Sequence, residues 1–253
     1  MLMIDNGYLF AKDEKRLFIN TSLGCMSKCK FCYLSKMGIE KISRKTSDEV
    51  LDFLENLEYE YNVDTLITLG CFSECFDEIN KDETIKIAKY FLERGNQVQI
   101  ATKRYVSLDD IKELVPLIKY YGQFILFVSS STISEYEEYE KGTEKLEQRF
   151  KNFDLLKHNI PVVLYIKPVI RNVTIKDVDL YKKLIEEKRI SDVVVGSIFT
   201  EEETRETVHF SNDNKLFYNE CSDEKIIITS LRSIARVWKR STEVTRYFAL
   251  KNE

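Results

Sequence analysis

The chain has 253 residues, 43% hydrophobic and 12% aromatic, enough to bury one sizeable core, and three prolines and eight glycines leave little material for linkers. Charged residues make up 32% with both signs interspersed, and a formal net charge of −4 excludes a basic coat for nucleic acid over the whole surface. Asp5 and Asn6 interrupt the first ten residues, which read as neither a secretory signal nor a membrane span; the expected address is cytoplasmic, with no membrane partner. Six cysteines in a reducing compartment point to metal binding or catalysis rather than a disulfide scaffold.

In chain order, short apolar or β-branched runs at 17–22, 65–69, 97–101, 124–128, 161–167 and 192–195 alternate with longer segments of helical period. The run Val162-Val163-Leu164-Tyr165-Ile166 has the near-continuous apolar character of a buried parallel strand. The clearest helix opens with Thr46-Ser47-Asp48-Glu49, with Ser47 as the expected N-cap and Val50, Leu51, Phe53, Leu54 and Leu57 at helical spacing. Further helices are expected over 83–94, 108–119, 145–158 and 175–188. Six strands separated by five helices predict an α/β fold, a partial (β/α)6 TIM-type barrel over residues 1–197, with a short C-terminal extension, 198–253, packing on or capping it. In that extension 200–206 reads as a charged loop or helix start, 225–229 as one strand and 230–251 as helical. Chemistry on such a barrel gathers in the loops after the strands, so polar residues there carry weight.

Immediately after the first predicted strand, three thiols fall within Cys25-Met26-Ser27-Lys28-Cys29-Lys30-Phe31-Cys32. A four-iron four-sulfur cluster held by three protein thiolates leaves one iron open for a cofactor or substrate. Buried apolar cysteines and a zinc site are the competing readings. Zinc sites usually pair thiols at shorter gaps with a fourth ligand nearby, and neither His158 nor His209 is close in sequence.

The spacing of three then two residues between the cysteines, Gly24 before the first and an aromatic before the third, resembles the radical S-adenosylmethionine superfamily. The loop Gly24-Cys25-Met26-Ser27-Lys28-Cys29-Lys30-Phe31-Cys32-Tyr33-Leu34 is similar to that of spore photoproduct lyase and its relatives. The resemblance implies a partial barrel and a [4Fe-4S] cluster on Cys25, Cys29 and Cys32. Its open iron would chelate S-adenosylmethionine, and reductive cleavage would give a 5′-deoxyadenosyl radical. It assigns Cys71, in Gly70-Cys71-Phe72-Ser73-Glu74-Cys75 after the second strand, as hydrogen-atom donor and Ser73 as a cofactor contact. Lys103 and Ser129, after the third and fourth strands, would contact the same cofactor, and Glu140 and Arg149 are weaker matches beside the site. Lys141 stands where the family has proline. Of the two tyrosines that flank the third cysteine in the family, Tyr33 is kept and Phe31 has no O–H to give. An electron donor such as flavodoxin or ferredoxin is implied, and a damaged or modified nucleic-acid base is the substrate suggested by analogy.

Without the resemblance, Lys103 reads as a solvent-facing cation, and the alternatives are an inert half-buried loop cysteine for Cys71 and a helix arginine in an ion pair for Arg149. Cys75 could be a partner of Cys71 or core, and Cys221 could donate hydrogen from the opposite face, as in a radical epimerase of a peptide or natural product. Cys71, Cys75 and Cys221 could instead hold an auxiliary cluster, and the whole could be a non-catalytic iron–sulfur binding protein. Arg232, Arg236, Lys239, Arg240, Arg246 and Lys251 around Trp238 and Tyr247 read as a solvated helix face or a grip on nucleic acid.

Overall fold

Chain order and spatial order coincide in the main sheet. In the computed structural model, which describes residues 2–5, 8–12, 16–56, 61–200, 207–209 and 215–251, seven parallel strands follow one another: Arg16–Ile19, Leu66–Leu69, Val98–Thr102, Phe124–Ser129, Val162–Ile166, Asp192–Val195 and Arg236–Trp238. Each pairs in parallel with the next. An antiparallel hairpin, Leu2–Asp5 with Tyr8–Lys12, continues the sheet outside the first of them. Among the described residues no pairing joins the first parallel strand to the seventh, so the sheet curls as an open barrel. No described helix is long and apolar enough to cross a membrane.

Alternation along each strand sends one set of side chains out to the helices and the other into the barrel. Outward, Ile100, Leu126, Val128, Leu164 and Val193 join the main core with Ile87, Ala88 and Phe91 of the helix Lys81–Glu93 and with Tyr181 and Leu184 of the helix Val178–Lys188. Inward, Ile125, Phe127, Val163 and Val194 form a second cluster with Val244 and Phe248 of the helix Ser241–Leu250. That helix is seated by Gln97, just before the third strand, whose side-chain amide donates to the carbonyl of Gly122 (2.8 Å), just before the fourth strand, and to that of Thr245 (3.0 Å) within the helix. It fills the end of the barrel opposite the loops that follow the strands.

The expected partial barrel is present with seven parallel strands rather than six, and the additional strand comes from the segment read as a helical tail. Residues 225–229, expected as a strand, lie in the helix Ser222–Leu231; Ile227, Ile228 and Leu231 face the core at helical spacing while Ile226 is exposed. The segment 230–251 is broken by the strand Arg236–Trp238 before the last helix. Residues 108–119 form turns and a short 3-10 segment, Val115–Leu117, because Pro116 lacks the N–H a continuous helix requires. The first helix, Ser47–Glu55, is capped by Thr46 rather than Ser47: the Thr46 hydroxyl accepts from the Glu49 N–H, and the Glu49 carboxylate accepts from the Thr46 N–H. The 145–158 helix is a short α turn, Leu146–Arg149, followed by 3-10 turns over Phe150–His158. The charged stretch expected at 200–206 lies outside the described residues from 201 onward. Around it, Ile198–Thr200, Lys215–Asn219 and Thr207–His209 make a small antiparallel sheet after the sixth parallel strand.

Candidate active site

The cysteine loop leaves the first parallel strand and is fastened on two sides. Toward the second strand, the Gly24 N–H donates to the Phe72 carbonyl (2.9 Å), the Phe72 N–H donates to Asn20 Oδ1 (3.2 Å), and the Tyr33 hydroxyl donates to the Cys71 carbonyl. Toward the fourth strand, Lys28–Cys29 pairs antiparallel with Glu140–Lys141, the Lys30 N–H donates to the Tyr139 carbonyl (2.9 Å), and the Ser27 hydroxyl donates to the Gly142 carbonyl (3.2 Å). Gly24 has φ +88° and packs against the Lys41 carbonyl oxygen, 2.8 Å from where a Cβ would stand, so only glycine allows this approach.

Cys25, Cys29 and Cys32 are all half-buried, and no cysteine of the chain is in a disulfide. Cys25 and Cys32 belong to an apolar nest around Leu34 and Phe72 that also takes in Leu23, Tyr33 and Cys71. Burial pushes the Cys29 thiol up to about 11, against the pull of the nearby Lys103 ammonium, and Glu140, Cys32 and Cys25 push it the same way. Burial also raises Cys25, whose sulfur accepts from the Ser27 N–H at 3.4 Å. Among the described residues no three potential ligands converge tightly enough for a single metal ion. A four-iron cube spreads its thiolates over three irons, farther apart than around one ion, and this half-buried trio of thiols from one loop fits that donor set.

Beyond the second strand, Gly70 turns at φ +81° directly over the Cys75 sulfur, where a Cβ would approach to 2.5 Å. Cys75 is buried and its thiol is pushed well up by that burial, which makes it core. Cys71 is half-buried in the apolar nest, and Tyr33 meets Phe72 and Phe199 edge to face at 6.1 and 5.3 Å. Ser73 is half-buried, with the Asn80 amide 3.4 Å from its hydroxyl. The buried Glu74 accepts from the Thr102 hydroxyl and from the N–H groups of Lys103 (2.8 Å) and Phe76 (3.2 Å); burial nonetheless holds its carboxyl above the usual range. Glu74 thereby fixes the main chain at Lys103. The Lys103 ammonium donates to the Ser129 hydroxyl (2.8 Å) and lies 5.5 Å from the Phe31 ring centroid, between the cluster loop and the barrel mouth.

Arg149 and Glu140 are wholly buried and ion-paired. The guanidinium also donates to the Ser129 carbonyl (2.9 Å), the Thr143 hydroxyl (2.5 Å) and the Glu144 carbonyl (2.9 Å), and the second Glu140 oxygen accepts from the Ser131 N–H (2.8 Å). The pair therefore clamps the end of the fourth strand to the segment that pairs with Cys29, its terminal guanidinium nitrogens and both carboxylate oxygens bonded to protein while Arg149 Nε is buried without a partner.

Cys221 is not brought to this group. It stands at the N-cap of the helix Ser222–Leu231, where its carbonyl accepts from the Glu224 N–H (3.2 Å) and its N–H donates to the Glu224 carboxylate (3.2 Å), and it packs on the main core. In the tail, Arg236 makes a two-pronged pair with Asp192 (2.8 and 2.7 Å), and the Trp238 indole donates to the same carboxylate (3.0 Å). Arg236 and Lys251 lie over the Tyr247 ring at 5.0 and 4.6 Å. Sequence reasoning missed Asn20, Tyr165, Lys167 and Phe199. Tyr165 is in register with Ser129 on the inner face, Lys167 follows it by the two-residue period, and the Lys167 ammonium stands 5.4 Å from the Phe199 ring centroid. Counting alternation from Val163 locates both; nothing in the sequence places Phe199.

The radical SAM superfamily family model matches residues 19–185, which include the cysteine loop and, whole, the second to fifth parallel strands. The chain belongs to the radical SAM superfamily. Enzymes of this superfamily use a four-iron four-sulfur cluster and S-adenosylmethionine. No curated protein matches the chain. Among solved structures, spore photoproduct lyase complexed with dinucleoside spore photoproduct is similar with a TM-score of 0.66 at 14% identity, over 91% of this chain and 78% of that one. A variant of that lyase with bound AdoMet and dinucleoside spore photoproduct has a TM-score of 0.64 at 13% identity, over 88% and 76%. SuiB of Streptococcus suis bound to its precursor peptide SuiA has a TM-score of 0.55 at 13% identity, over 96% of this chain and 48% of SuiB, so the chain spans about half of that enzyme. At these identities the likeness is one of fold.

Proposed function

We propose that the chain is a spore photoproduct lyase-like radical enzyme, with the cluster on Cys25, Cys29 and Cys32 and Cys71 as the hydrogen-atom donor. When bound, the cluster and S-adenosylmethionine supply reductive cleavage to a 5′-deoxyadenosyl radical, which abstracts a substrate hydrogen. The protein positions. Lys103, held on Ser129 and beside Phe31, offers a cation to the cofactor carboxylate, and Ser73 and Ser129 offer hydroxyls at the same mouth. Glu140 and Arg149 act through the backbone they clamp rather than by touching the cofactor.

The observation that carries this reading is the lacing of the Cys71 loop to the cysteine loop, through Gly24 to Phe72 and Tyr33 to Cys71. It keeps a thiol in the same apolar nest as Cys25 and Cys32. Transfer of the thiol hydrogen to a substrate carbon radical forms a C–H bond and breaks the S–H bond, and the thiyl left on Cys71 returns to the thiol by taking one electron from the one-electron donor protein that reduces the cluster and one proton from solvent. Tyr33 orients the Cys71 main chain; with phenylalanine at 31, no two-step tyrosine relay flanks the third cysteine.

The substrate class we favour is a damaged or modified nucleic-acid base, supported by the solved relative that holds a dinucleoside photoproduct. Cys71→Ala is expected to retain 5′-deoxyadenosine formation and to lose or alter the repaired product, while Cys221→Ala leaves both intact. Turnover and product identity unchanged in Cys71→Ala would overturn the assignment, and deuterium transfer from labelled substrate into 5′-deoxyadenosine identifies the abstracted position.

A further inference from the structure

Between residues 26 and 45 the chain carries six basic residues, Lys28, Lys30, Lys36, Lys41, Arg44 and Lys45, against one acidic residue, Glu40. That is a local charge of +5 in a chain whose total is −4. Strand pairing gathers this charge around the cysteine loop. Ser22–Leu23 pairs antiparallel with Ser43–Arg44, which lays Lys41, Ile42 and Arg44 alongside Gly24 and Cys25, and the tight contact of Gly24 with the Lys41 carbonyl fixes the approach. On the other flank Lys141 is in register with Lys28. Lys30 is neutralised by Glu138, but Lys28, Lys36, Lys41 and Lys141 are exposed and have no carboxylate partner among the described residues. Within this basic ring, Met26 and Ile42 are 54% and 40% exposed, the only large apolar side chains left bare on the loop.

We propose that this face is the docking surface for the enzyme's one-electron donor, a small acidic protein carrying a flavin or iron–sulfur centre. The inference rests on the cluster being held by Cys25, Cys29 and Cys32. An electron reaching the cluster from another protein enters through the layer that separates it from solvent, and here that layer is the loop itself, whose three thiols are each partly exposed. The composition matches a transient redox interface: a small apolar centre, Met26 and Ile42, inside a charged rim that steers an oppositely charged partner. Nucleic acid is also an anion, but its single strands are held by stacking on exposed aromatics. The aromatics of this loop are engaged elsewhere: Phe31 lies beside Lys103, and Tyr33 is turned against Phe72 and Phe199. In the transfer one electron leaves the donor's reduced centre and enters the cluster; no bond forms or breaks, and the electron is consumed when the sulfonium C–S bond of the cofactor is cleaved.

The test compares wild type with a triple charge reversal, Lys28→Glu, Lys41→Glu and Lys141→Glu, and with a control reversal of Lys157 and Lys183, exposed lysines on other elements. Two readouts are taken: affinity for flavodoxin by calorimetry, and the initial rate of 5′-deoxyadenosine formation with reduced flavodoxin or with dithionite. The expected result is a loss of about tenfold or more in flavodoxin affinity and flavodoxin-supported rate, with the dithionite-supported rate and iron content within about twofold of wild type. Raising salt should weaken wild type toward the variant. Unchanged flavodoxin affinity in the triple variant would overturn the proposal, as would equal losses with both reductants, or loss of affinity for a single-stranded oligonucleotide in place of flavodoxin. If wild type made no 5′-deoxyadenosine with either reductant, the cluster assignment would fail separately, and the calorimetric comparison would still decide the docking surface.

Discussion

Arg149 is the residue whose loss should do most damage while touching no cofactor. Replacing it by methionine keeps the apolar stem but leaves the buried Glu140 carboxylate without its cation, and leaves the Ser129 and Glu144 carbonyls and the Thr143 hydroxyl without their donor. Breaking one side of a buried pair costs about 3–5 kcal/mol. The orphaned acceptors, at about 1–3 kcal/mol each, place the effect at the upper end of that range. Because Glu140–Lys141 pairs with Lys28–Cys29, the damage should extend to the cluster loop. Urea unfolding of the cluster-free protein should therefore show Arg149→Met destabilised by about 4–5 kcal/mol, and the reconstituted variant should hold less iron per chain at temperatures where it remains folded. In the double variant Arg149→Met with Glu140→Gln, removal of the uncompensated charge should recover part of the loss. A single-variant cost below about 1 kcal/mol, or full iron content in a destabilised variant, would refute the clamp.

Gly122→Ala should be destabilised by about 2–5 kcal/mol, because its Cβ would meet Phe248 Cβ at 2.4 Å on a backbone at φ +95°; a neutral result by thermal unfolding would show that the last helix does not fill the barrel. Tyr33→Phe removes the hydroxyl that holds the Cys71 carbonyl, so it should cost about 1 kcal/mol and raise the fraction of misquenched product; an unchanged product ratio would remove Tyr33 from the positioning of Cys71. Burial pushes the Asp110 carboxyl up, but its bonds from Lys81 and Ser107 prevail and hold it below the usual range. Its contribution is therefore present above the unfolded value of about 3.9 and lost as pH falls through the lower folded one. Asp110→Asn should flatten the acid limb of the stability curve there, and an unaltered limb contradicts the ion pair.

The barrel was legible because its central strands are buried on both faces: Val162–Ile166 and Phe124–Ser129 are almost uninterrupted apolar runs that no amphipathic helix would produce. The cysteine loop was legible because its ligands are local. What lay hidden depends on contacts far apart in sequence. The strand Arg236–Trp238 has three residues and is held by Asp192, more than forty positions earlier, so no local period announces it. The β-branched run Ile226-Ile227-Ile228 argues for a strand by propensity, and the capped helix start at Cys221–Glu224 with one face on the core overrides that preference. Arg149 read as an ordinary helix arginine until the fold placed Glu140, Ser129 and Thr143 around it.

The most direct test of the central claim is Mössbauer spectroscopy of protein reconstituted anaerobically with iron-57, before and after addition of S-adenosylmethionine. Wild type should show the signature of a four-iron four-sulfur cube in which one iron site changes when the cofactor is added, and the triple variant Cys25→Ala, Cys29→Ala, Cys32→Ala should show neither. Absence of a cube in wild type, or a cube in the triple variant, would contradict the assignment of these three thiols.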